Sequence, residues 1–365
     1  MKRVLLNALS AVIMNSRIYA LIKQDERLNL LVLDKDLKVT DEIWNIKGRL
    51  GFILKVEGGK ALVSIDDKLY LVEDGEAEAV LTTDTPGNTF WHLAEADKVL
   101  FVHEYGRPPT SIYMSRDLIS WERVITNLDI DRSSKHFHDI AYDPYRKWLI
   151  STLGDGCLTR VAVSEDLGSS WRPLYKGPWQ FVPIVVSKDK LMFGMDSGIV
   201  RGGIGVFDPI NHKWSFVFLR WREQDTRFMQ MCSLKLLNNG LYIAGLGTPQ
   251  AVVVSKDIKT WYLVHAEGFD EQFNMHMGIS EGEEFIVCST GKSLLSLRKD
   301  EFNSLRLTNK PVIVKYGAYI ERLIGLGFYL KHIVCNLHRD YKEAKAQAWV
   351  LRKASGVKSK LFERR

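Results

Sequence analysis

The chain has 365 residues, of which 46% are hydrophobic and 26% charged, and its formal net charge is +6. This composition belongs to a globular protein with a sizeable core, and it excludes collagen-like, low-complexity and disordered chains. No apolar run approaches the ~20 residues of a membrane-spanning helix, and ten Trp favour sheets over helical bundles.

The N-terminal run MKRVLLNALSAVIMNSRIYA places two basic residues before a short apolar stretch, as a signal peptide does. However, Asn7 interrupts the apolar stretch and no clear small-residue cleavage site follows it. We therefore interpret the run as the first one or two strands of the fold.

Two groups of four strand-like segments come next. The first group is SAVIMNS, RIYALIKQ, NLLVLDK and DEIWNI, and the second is LGFILKV, KALVSI, KLYLVED and EAVLTT. From Phe90 onward the pattern becomes a repeat, because similar units begin at spacings of 46, 45, 47 and 45 residues. These units begin at Phe90, His136, Phe181, Phe228 and Phe273.

Each unit contains two alternating strands, the second ending near Gly, followed by a third strand, a turn and a fourth strand. Trp opens four of the five fourth strands, as Trp121, Trp171, Trp214 and Trp261. Four short strands in about 45 residues is the pattern of a β-propeller blade. The sequence predicts an all-β propeller over residues 1–308 with seven four-stranded blades. Six or eight blades remain open, as does the strand that closes the ring.

The turn between the third and fourth strands carries a recurring motif. Its full copy is SEDLGSSW, with Ser164, Asp166, Gly168 and Trp171. Two copies are one residue shorter, with Ser115, Asp117 and Trp121 and with Ser255, Asp257 and Trp261. The motif resembles the Asp-box, or BNR repeat, of the sialidase-like superfamily. Because Asp and Ser can accept backbone N–H groups across a turn, and because the motif recurs, we predict a structural role.

Functional residues are expected on the opposite face, where loops enter the first strand and join the second strand to the third. Candidate catalytic residues there are Glu104, Tyr105, Asp155 and Asp196. Candidate ligand-binding residues are His103, Arg107, His136, His138, Arg201, Arg227 and His276. Paired carboxyl groups could serve glycoside hydrolysis, and the predicted ligand is a carbohydrate or another polar molecule.

The sialidase resemblance implies a different catalytic set: a Tyr nucleophile activated by Glu, an Asp acid/base and three Arg that clamp a carboxylate. Tyr105 and Glu104 are adjacent, but neighbours on a strand face opposite sides. The sialidase Arg-Ile-Pro signature is absent, and no third Arg joins Arg107 and Arg201. The resemblance therefore covers the architecture and not the catalytic set.

Histidines from several blades could instead hold a divalent metal ion, as in a metal-dependent polysaccharide lyase. The candidate ligands are His103, His136, His138, His276 and Gln230, with Asp155 or Asp196 as a further oxygen ligand. The alternative to a metal site is a water-filled channel, in which polar side chains are solvated and bind no ligand.

Cys157, Cys232, Cys288 and Cys335 lack the close spacing of zinc or redox motifs. We expect free thiols, mostly buried, and a cytoplasmic location.

Residues 309–365 form a basic extension with helical stretches, one of them at 341–353. They contain 13 Lys or Arg and 4 Asp or Glu, a net charge of +9, so residues 1–308 carry a net charge of −3. The extension either packs on the propeller or docks at an anionic membrane surface or a protein partner. Nucleic-acid binding is not expected, because no interleaved aromatic platform or known module supports it. A non-catalytic scaffold that docks through its rim and extension is therefore the alternative to ligand binding.

Overall fold

The computed structural model describes residues 1–155, 158–223, 228–269, 273–300, 310–338 and 342. Within these residues the strands form five four-stranded antiparallel sheets and one nine-stranded sheet, in which β29 joins two further four-stranded units, so that the fold has seven four-stranded blades. The prediction of a seven-bladed propeller is confirmed.

Strand β1 (Lys2–Leu5) precedes the first blade. Blade one contains β2 (Ala8–Met14), β3 (Arg17–Gln24), β4 (Arg27–Leu33) and β5 (Val39–Lys47). Blade two contains β6 (Gly51–Glu57), β7 (Lys60–Ile65), β8 (Lys68–Glu73) and β9 (Glu76–Thr82). Blade three contains β10 (Thr89–Ala96), β11 (Val99–Tyr105), β12 (Ser111–Ser115) and β13 (Glu122–Thr126), and the short helix α1 (Asn127–Ile130) follows it. Blade four contains β14 (His136–Asp143), β15 (Trp148–Gly154), β16 (Thr159–Ser164) and β17 (Arg172–Lys176).

Blade five contains β18 (Phe181–Val186), β19 (Leu191–Met195), β20 (Gly203–Asp208) and β21 (Lys213–Trp221). Blade six contains β22 (Gln230–Leu236), β23 (Tyr242–Thr248), β24 (Gln250–Ser255) and β25 (Thr260–Ala266). Blade seven contains β26 (Gly278–Glu281), β27 (Phe285–Ser289) and β28 (Ser293–Arg298). Strand β29 (Ile313–Lys315) and helix α2, residues 319–338, belong to the C-terminal extension.

The N-terminal strand closes the ring. Strand β1 pairs with β28 in antiparallel register, from Lys2 opposite Ser296 to Leu5 opposite Ser293. Blade seven therefore takes its outer strand from the other end of the sequence, which explains why its repeat unit lacks a fourth strand with Trp. Pairing of this kind removes an open edge at β28. The interpretation of the N-terminal run as strands is confirmed.

The hydrophobic core lies between adjacent blades. Phe101 of blade three, for example, packs with Phe137 and Leu149 of blade four, and all three are fully buried. Such inter-blade clusters recur around the ring and fix each first strand along the central channel.

The first strands are irregular in a way that matters for the channel. In β14 the pairing with β15 shifts between Phe137 and Asp139, so that His138 is an extra residue. Comparable shifts interrupt β2, β6, β10, β18 and β22. Because a β-bulge re-aims neighbouring side chains, these strands do not present a simple alternation to the channel.

The C-terminal extension joins the propeller through β29. This strand pairs with both β21 and β25, with Lys315 opposite Leu219 and Ile313 opposite Trp261. It links blades five and six into one nine-stranded sheet. The predicted boundary at 308/309 lies outside the described residues, as does almost all of the helix predicted at 341–353. Among the described residues, no helix combines the length and the apolar character needed to cross a bilayer.

Candidate functional site

The turns between third and fourth strands are held by the side chains of the recurring motif. Asp166 accepts a hydrogen bond from the backbone N–H of Ser170 at 2.8 Å, and Ser164 Oγ accepts one from Gly168 at 2.7 Å. Trp171 Nε1 donates to the carbonyl oxygen of Gly168 at 3.0 Å. Equivalent bonds hold the two shorter copies, through Ser115, Asp117, Trp121, Ser255, Asp257 and Trp261. These contacts support the structural role predicted for the motif.

At the opposite face, polar side chains of blades three and four meet at the channel. The ring centroids of Tyr105 and His136 lie 4.4 Å apart, and Trp91 packs edge-on against Tyr105 at 4.3 Å. His136 Nε2 lies 3.0 Å from His138 Nε2 and 3.9 Å from Asp155 Oδ2. The structure therefore brings four of the predicted site residues together.

Backbone groups fix both imidazole rings. His136 Nδ1 lies 2.7 Å from the carbonyl oxygen of Gly106, and His138 Nδ1 lies 2.9 Å from that of Phe181. A Cβ atom at Gly154 would lie only 2.0 Å from His138 Nε2, so glycine at this position leaves the space that the ring occupies. Burial lowers the pKa of both histidines.

Asp155 follows the end of β15 and is anchored on two sides. Lys135 Nζ donates to Asp155 Oδ2 at 2.7 Å, and Gln180 Nε2 donates to Oδ1 at 3.2 Å. Burial opposes the carboxylate charge, but the Lys135 hydrogen bond and the nearby histidines hold the pKa of Asp155 below its usual value.

Asp196 follows β19 of blade five, and Gln180 ties it to the same region. The backbone N–H of Asp196 donates to the carbonyl oxygen of Gln180 at 3.1 Å. Burial raises the pKa of the Asp196 carboxyl group to about 7, and the charge of Asp155 adds to the shift. Gln180 was not predicted from the sequence, although its place directly before a first strand is a usable signal. We call Tyr105, His136, His138, Asp155 and Asp196 the mouth site.

A second cluster, formed by His92 on β10, His103 on β11 and Asp139 on β14, lies beside the mouth site. His103 is fully buried, its Nδ1 lies 3.1 Å from the carbonyl oxygen of Glu104, and its Nε2 has no hydrogen-bond partner. His92 Nδ1 lies 2.8 Å from Asp139 Oδ1. Burial and the proximity of His92 lower the pKa of His103 to about 3.

The structure divides the predicted metal set. Two groups in the described residues have ligand atoms within 4.8 Å of one another: His92, His103 and Asp139, and His136, His138 and Asp155. His276 belongs to neither group, because its Nδ1 faces the carbonyl oxygen of Leu9 at 3.2 Å and its ring stacks on Phe52. Gln230 begins β22, and its Oε1 is buried without a hydrogen-bond partner.

Glu104 points into its blade and not toward Tyr105. Its Oε1 accepts hydrogen bonds from the backbone N–H of Asp84 at 2.6 Å and from Tyr113 Oη at 2.7 Å, while Oε2 accepts one from Asn88 at 3.2 Å. Burial raises the pKa of Glu104. The side chain thus anchors the loop before β10, as expected for a strand neighbour of Tyr105 that faces the other side.

The predicted arginines are dispersed. Arg107 is exposed and holds Asn88 through its backbone groups. The backbone N–H of Arg201 donates to Tyr316 Oη at 3.2 Å, and Arg227 lies outside the described residues.

A cavity of about 210 Å³ lies on the channel side of blades one, two, three, six and seven, with Phe52, Trp91, His92 and His276 in its wall. Cys232 also lines it and is a buried free thiol. Cys288 is a buried free thiol as well, whereas Cys335 is exposed and Cys157 lies outside the described residues.

No protein-family model and no curated protein matches this sequence. Among solved structures, virginiamycin B lyase from Staphylococcus aureus is 12% identical over 81% of this chain and 98% of that chain, with a TM-score of 0.58. The WD40 repeats of RRP9 are 12% identical over 81% of this chain and 97% of that chain, with a TM-score of 0.55. The extracellular domain of a one-component system from B. thetaiotaomicron is 10% identical over 80% of this chain, with a TM-score of 0.55, and the match spans only 38% of that chain. At these identities the likeness shows a β-propeller fold, and membership of the sialidase-like superfamily stays a prediction.

Proposed function

We propose that the protein binds a carbohydrate or another polar ligand at the mouth site. The observation that carries this proposal is the convergence of Tyr105, His136, His138, Asp155 and Asp196 from three blades at one end of the channel. A concave site with a few convergent polar groups beside aromatic rings is the usual form of a small-ligand site.

The chemistry of these groups suits a ligand rich in hydroxyl groups. Carboxylates accept several hydrogen bonds, imidazoles can accept or donate them, and Gln180 holds both Asp155 and Asp196 in place. The Tyr105 ring, packed on Trp91, offers an apolar surface next to them. Recognition of a sugar or a similar polyol requires this combination of polar atoms and an apolar face.

The similar solved structures include both a lyase and a set of WD40 repeats, so the fold does not distinguish a catalytic protein from one that only binds. Cleavage by paired acids would require Asp155 and Asp196 to flank the bond that breaks. The proposal therefore concerns binding, and cleavage is measured on the ligands that bind.

A glycan array probed with the full-length protein tests the proposal, followed by calorimetry on each ligand found. Asp196→Asn, which removes a carboxyl group, and Tyr105→Ala, which removes the apolar ring, should each weaken binding at least tenfold. Glu165→Gln serves as a matched control, because Glu165 is an exposed acid in the turn at the opposite face. The proposal fails if no glycan or polyol binds, or if the mouth variants bind as tightly as Glu165→Gln. Mass spectrometry of the bound ligands after incubation reports cleavage.

A further inference from the structure

The imidazoles of His136 and His138 face each other in an arrangement that two neutral rings do not favour. Each Nδ1 lies against a backbone carbonyl oxygen, which can only accept a hydrogen bond, so each Nδ1 carries the hydrogen. Both Nε2 atoms therefore present lone pairs to each other across 3.0 Å. A cation placed between them would turn this repulsion into an attraction.

From this geometry we infer that His136 Nε2, His138 Nε2 and Asp155 Oδ2 are the ligands of a divalent transition-metal ion of the Zn²⁺ class. Metal–nitrogen bonds of about 2.0–2.1 Å place two ligand atoms roughly 3.0–3.4 Å apart at the usual coordination angles. The observed 3.0 Å between the two Nε2 atoms fits this range, whereas Asp155 Oδ2, at 3.9 Å from His136 Nε2, has to move closer when an ion binds. Two histidines and one carboxylate also leave coordination positions open for an outside ligand.

The surroundings match those of metal-bound histidines, which donate their second N–H to a carbonyl or carboxylate. Gln180 orients Asp155 through Oδ1, and Gly154 leaves the space at His138. Lys135 neutralises the Asp155 carboxylate, and its side chain is half-exposed, so it can turn toward solvent when an ion binds. That the bound ion holds oxygen atoms of a carbohydrate or another polar ligand rests on the proposed function. That the ion binds at all does not depend on it.

Calorimetric titration of the metal-free full-length protein with Zn²⁺ alone tests this inference. We expect one ion at the mouth site, with affinity reduced more than tenfold in Asp155→Asn and His138→Gln and unchanged in His276→Gln. Asp155→Asn is close to isosteric, so it decides the outcome if His138→Gln does not fold. His103→Gln distinguishes the two histidine clusters. If His103→Gln lost Zn²⁺ binding while Asp155→Asn kept it, the inference would be overturned. Absence of Zn²⁺ binding would do so too, even where glycan binding persists.

A second, independent observation concerns α2, whose solvent-facing side is apolar. Half of the exposed large hydrophobic side chains in the described residues, nine of eighteen, lie on this helix. They are Tyr319, Ile320, Leu323, Ile324, Leu326, Phe328, Leu330, Val334 and Leu337. We call this set the apolar helix face.

The opposite side of α2 packs on blade five through small and polar residues. A Cβ at Gly325 would meet the Trp179 ring at 2.6 Å, and the Arg322 guanidinium lies 4.8 Å from the centre of the Phe218 ring. Glu321 contacts Tyr316 Oη at 3.4 Å. A helix on a soluble domain normally turns its apolar side toward the core, so α2 is inverted and its apolar face requires a cover from outside.

We propose that the cover is an anionic membrane surface. Residues 339–365 contain nine Lys or Arg and three Asp or Glu, a net charge of +6. An apolar helix face joined to a basic segment supplies the two signals that stable membrane attachment needs. Trp179 and Arg201 belong to loops on the mouth-site face, and both contact the extension, so the mouth site would lie next to the lipid.

Co-sedimentation of the full-length protein with vesicles tests this proposal. We expect binding to vesicles containing phosphatidylglycerol, at least tenfold weaker binding to pure phosphatidylcholine, and a loss of more than tenfold in Leu323→Glu/Leu326→Glu. Ile210→Glu is the matched control, because Ile210 is an exposed apolar residue in a turn of blade five: it is 76% exposed, against 72% for Leu323. Binding unaffected by Leu323→Glu/Leu326→Glu would overturn the proposal. So would a dimer in solution that this double variant converts to a monomer, since a second copy would then be the cover.

Discussion

His136 and His138 approach each other through their Nε2 atoms at 3.0 Å, while both Nδ1 atoms face backbone carbonyl oxygens. The two rings lie on β14 of blade four and are fixed by main-chain groups of the two neighbouring blades, since Gly106 follows β11 and Phe181 opens β18. The propeller itself therefore sets the position of the pair, and the variants that disturb it can be chosen from the fold.

Gly154→Ala should disable the mouth site while leaving the propeller folded. The added Cβ would lie 2.0 Å from His138 Nε2, so the ring must move. We expect loss of Zn²⁺ binding and a loss of stability of about 1–3 kcal/mol, as for other overpacked sites. Gly198→Ala is the control, because nothing lies within 4 Å of its added Cβ. Thermal unfolding and calorimetry measure both effects, and unchanged Zn²⁺ binding in Gly154→Ala would contradict the account.

Glu104→Gln should affect stability and not the chemistry of the mouth. Three donors point at this buried carboxylate, and an amide would set its NH₂ group against one of them. We expect a loss of about 1–3 kcal/mol in urea unfolding, with little change for the partly exposed Glu95→Gln. If folded Glu104→Gln loses ligand binding while its stability is unchanged, Glu104 belongs to the site after all.

Asp117→Ala should destabilise the protein at neutral pH but not in acid. Hydrogen bonds from the backbone N–H groups of Ser120 and Ile119 lower the pKa of Asp117 to about 2. Because this folded-state pKa lies below the unfolded value, the stabilisation is present above pH ~4 and lost as the pH falls toward 2. The difference in melting temperature between Asp117→Ala and the wild-type protein should therefore disappear as the pH falls from ~4 toward 2. Asp41→Ala, at an exposed position on β5, should melt at the wild-type temperature throughout. If Asp117→Ala still melted well below wild type at pH 2, the stabilising role given to the Asp117 carboxylate would be refuted.

Removal of residues 1–5 should open the ring. Strand β1 contributes four paired residues to β28, and Arg3 also binds Ser293 and Glu267. At about 1 kcal/mol for each hydrogen bond, we expect a loss of roughly 2–4 kcal/mol in stability. Lys2→Ala, at an exposed ion pair with Asp36, should be nearly neutral. Equal melting temperatures for the truncated and full-length proteins would show that β1 does not close the ring.

Much of the fold was predictable from the sequence because it repeats. The spacing of about 45 residues marked the later blades, and Trp121, Trp171 and Trp261 marked the turns in which the Asp side chain accepts backbone N–H groups, as predicted. The pairing of β1 with β28 was not predictable, since it joins segments nearly 290 residues apart that carry no shared signal.

The site was predictable only in part. His136 and His138 are two residues apart on one strand, so both were expected on the loop face of the channel. Asp155 was expected near the same face. The separation of His103 and His276 from them was not foreseen, because it depends on local backbone contacts: the Nδ1 atom of His103 faces the carbonyl oxygen of Glu104, and that of His276 faces the carbonyl oxygen of Leu9. Gln180 and Asp139 were missed because their roles come from contacts between blades: Asp139 Oδ2 accepts a hydrogen bond from the Ile184 N–H of the next blade.

Crystals of the full-length protein soaked in Zn²⁺ and measured at the zinc absorption edge would test the central claim most directly. The account predicts one anomalous peak at about 2.0–2.2 Å from His136 Nε2, His138 Nε2 and Asp155 Oδ2. A peak at His92, His103 and Asp139 alone, or no peak with the two Nε2 atoms still 3.0 Å apart, would contradict it.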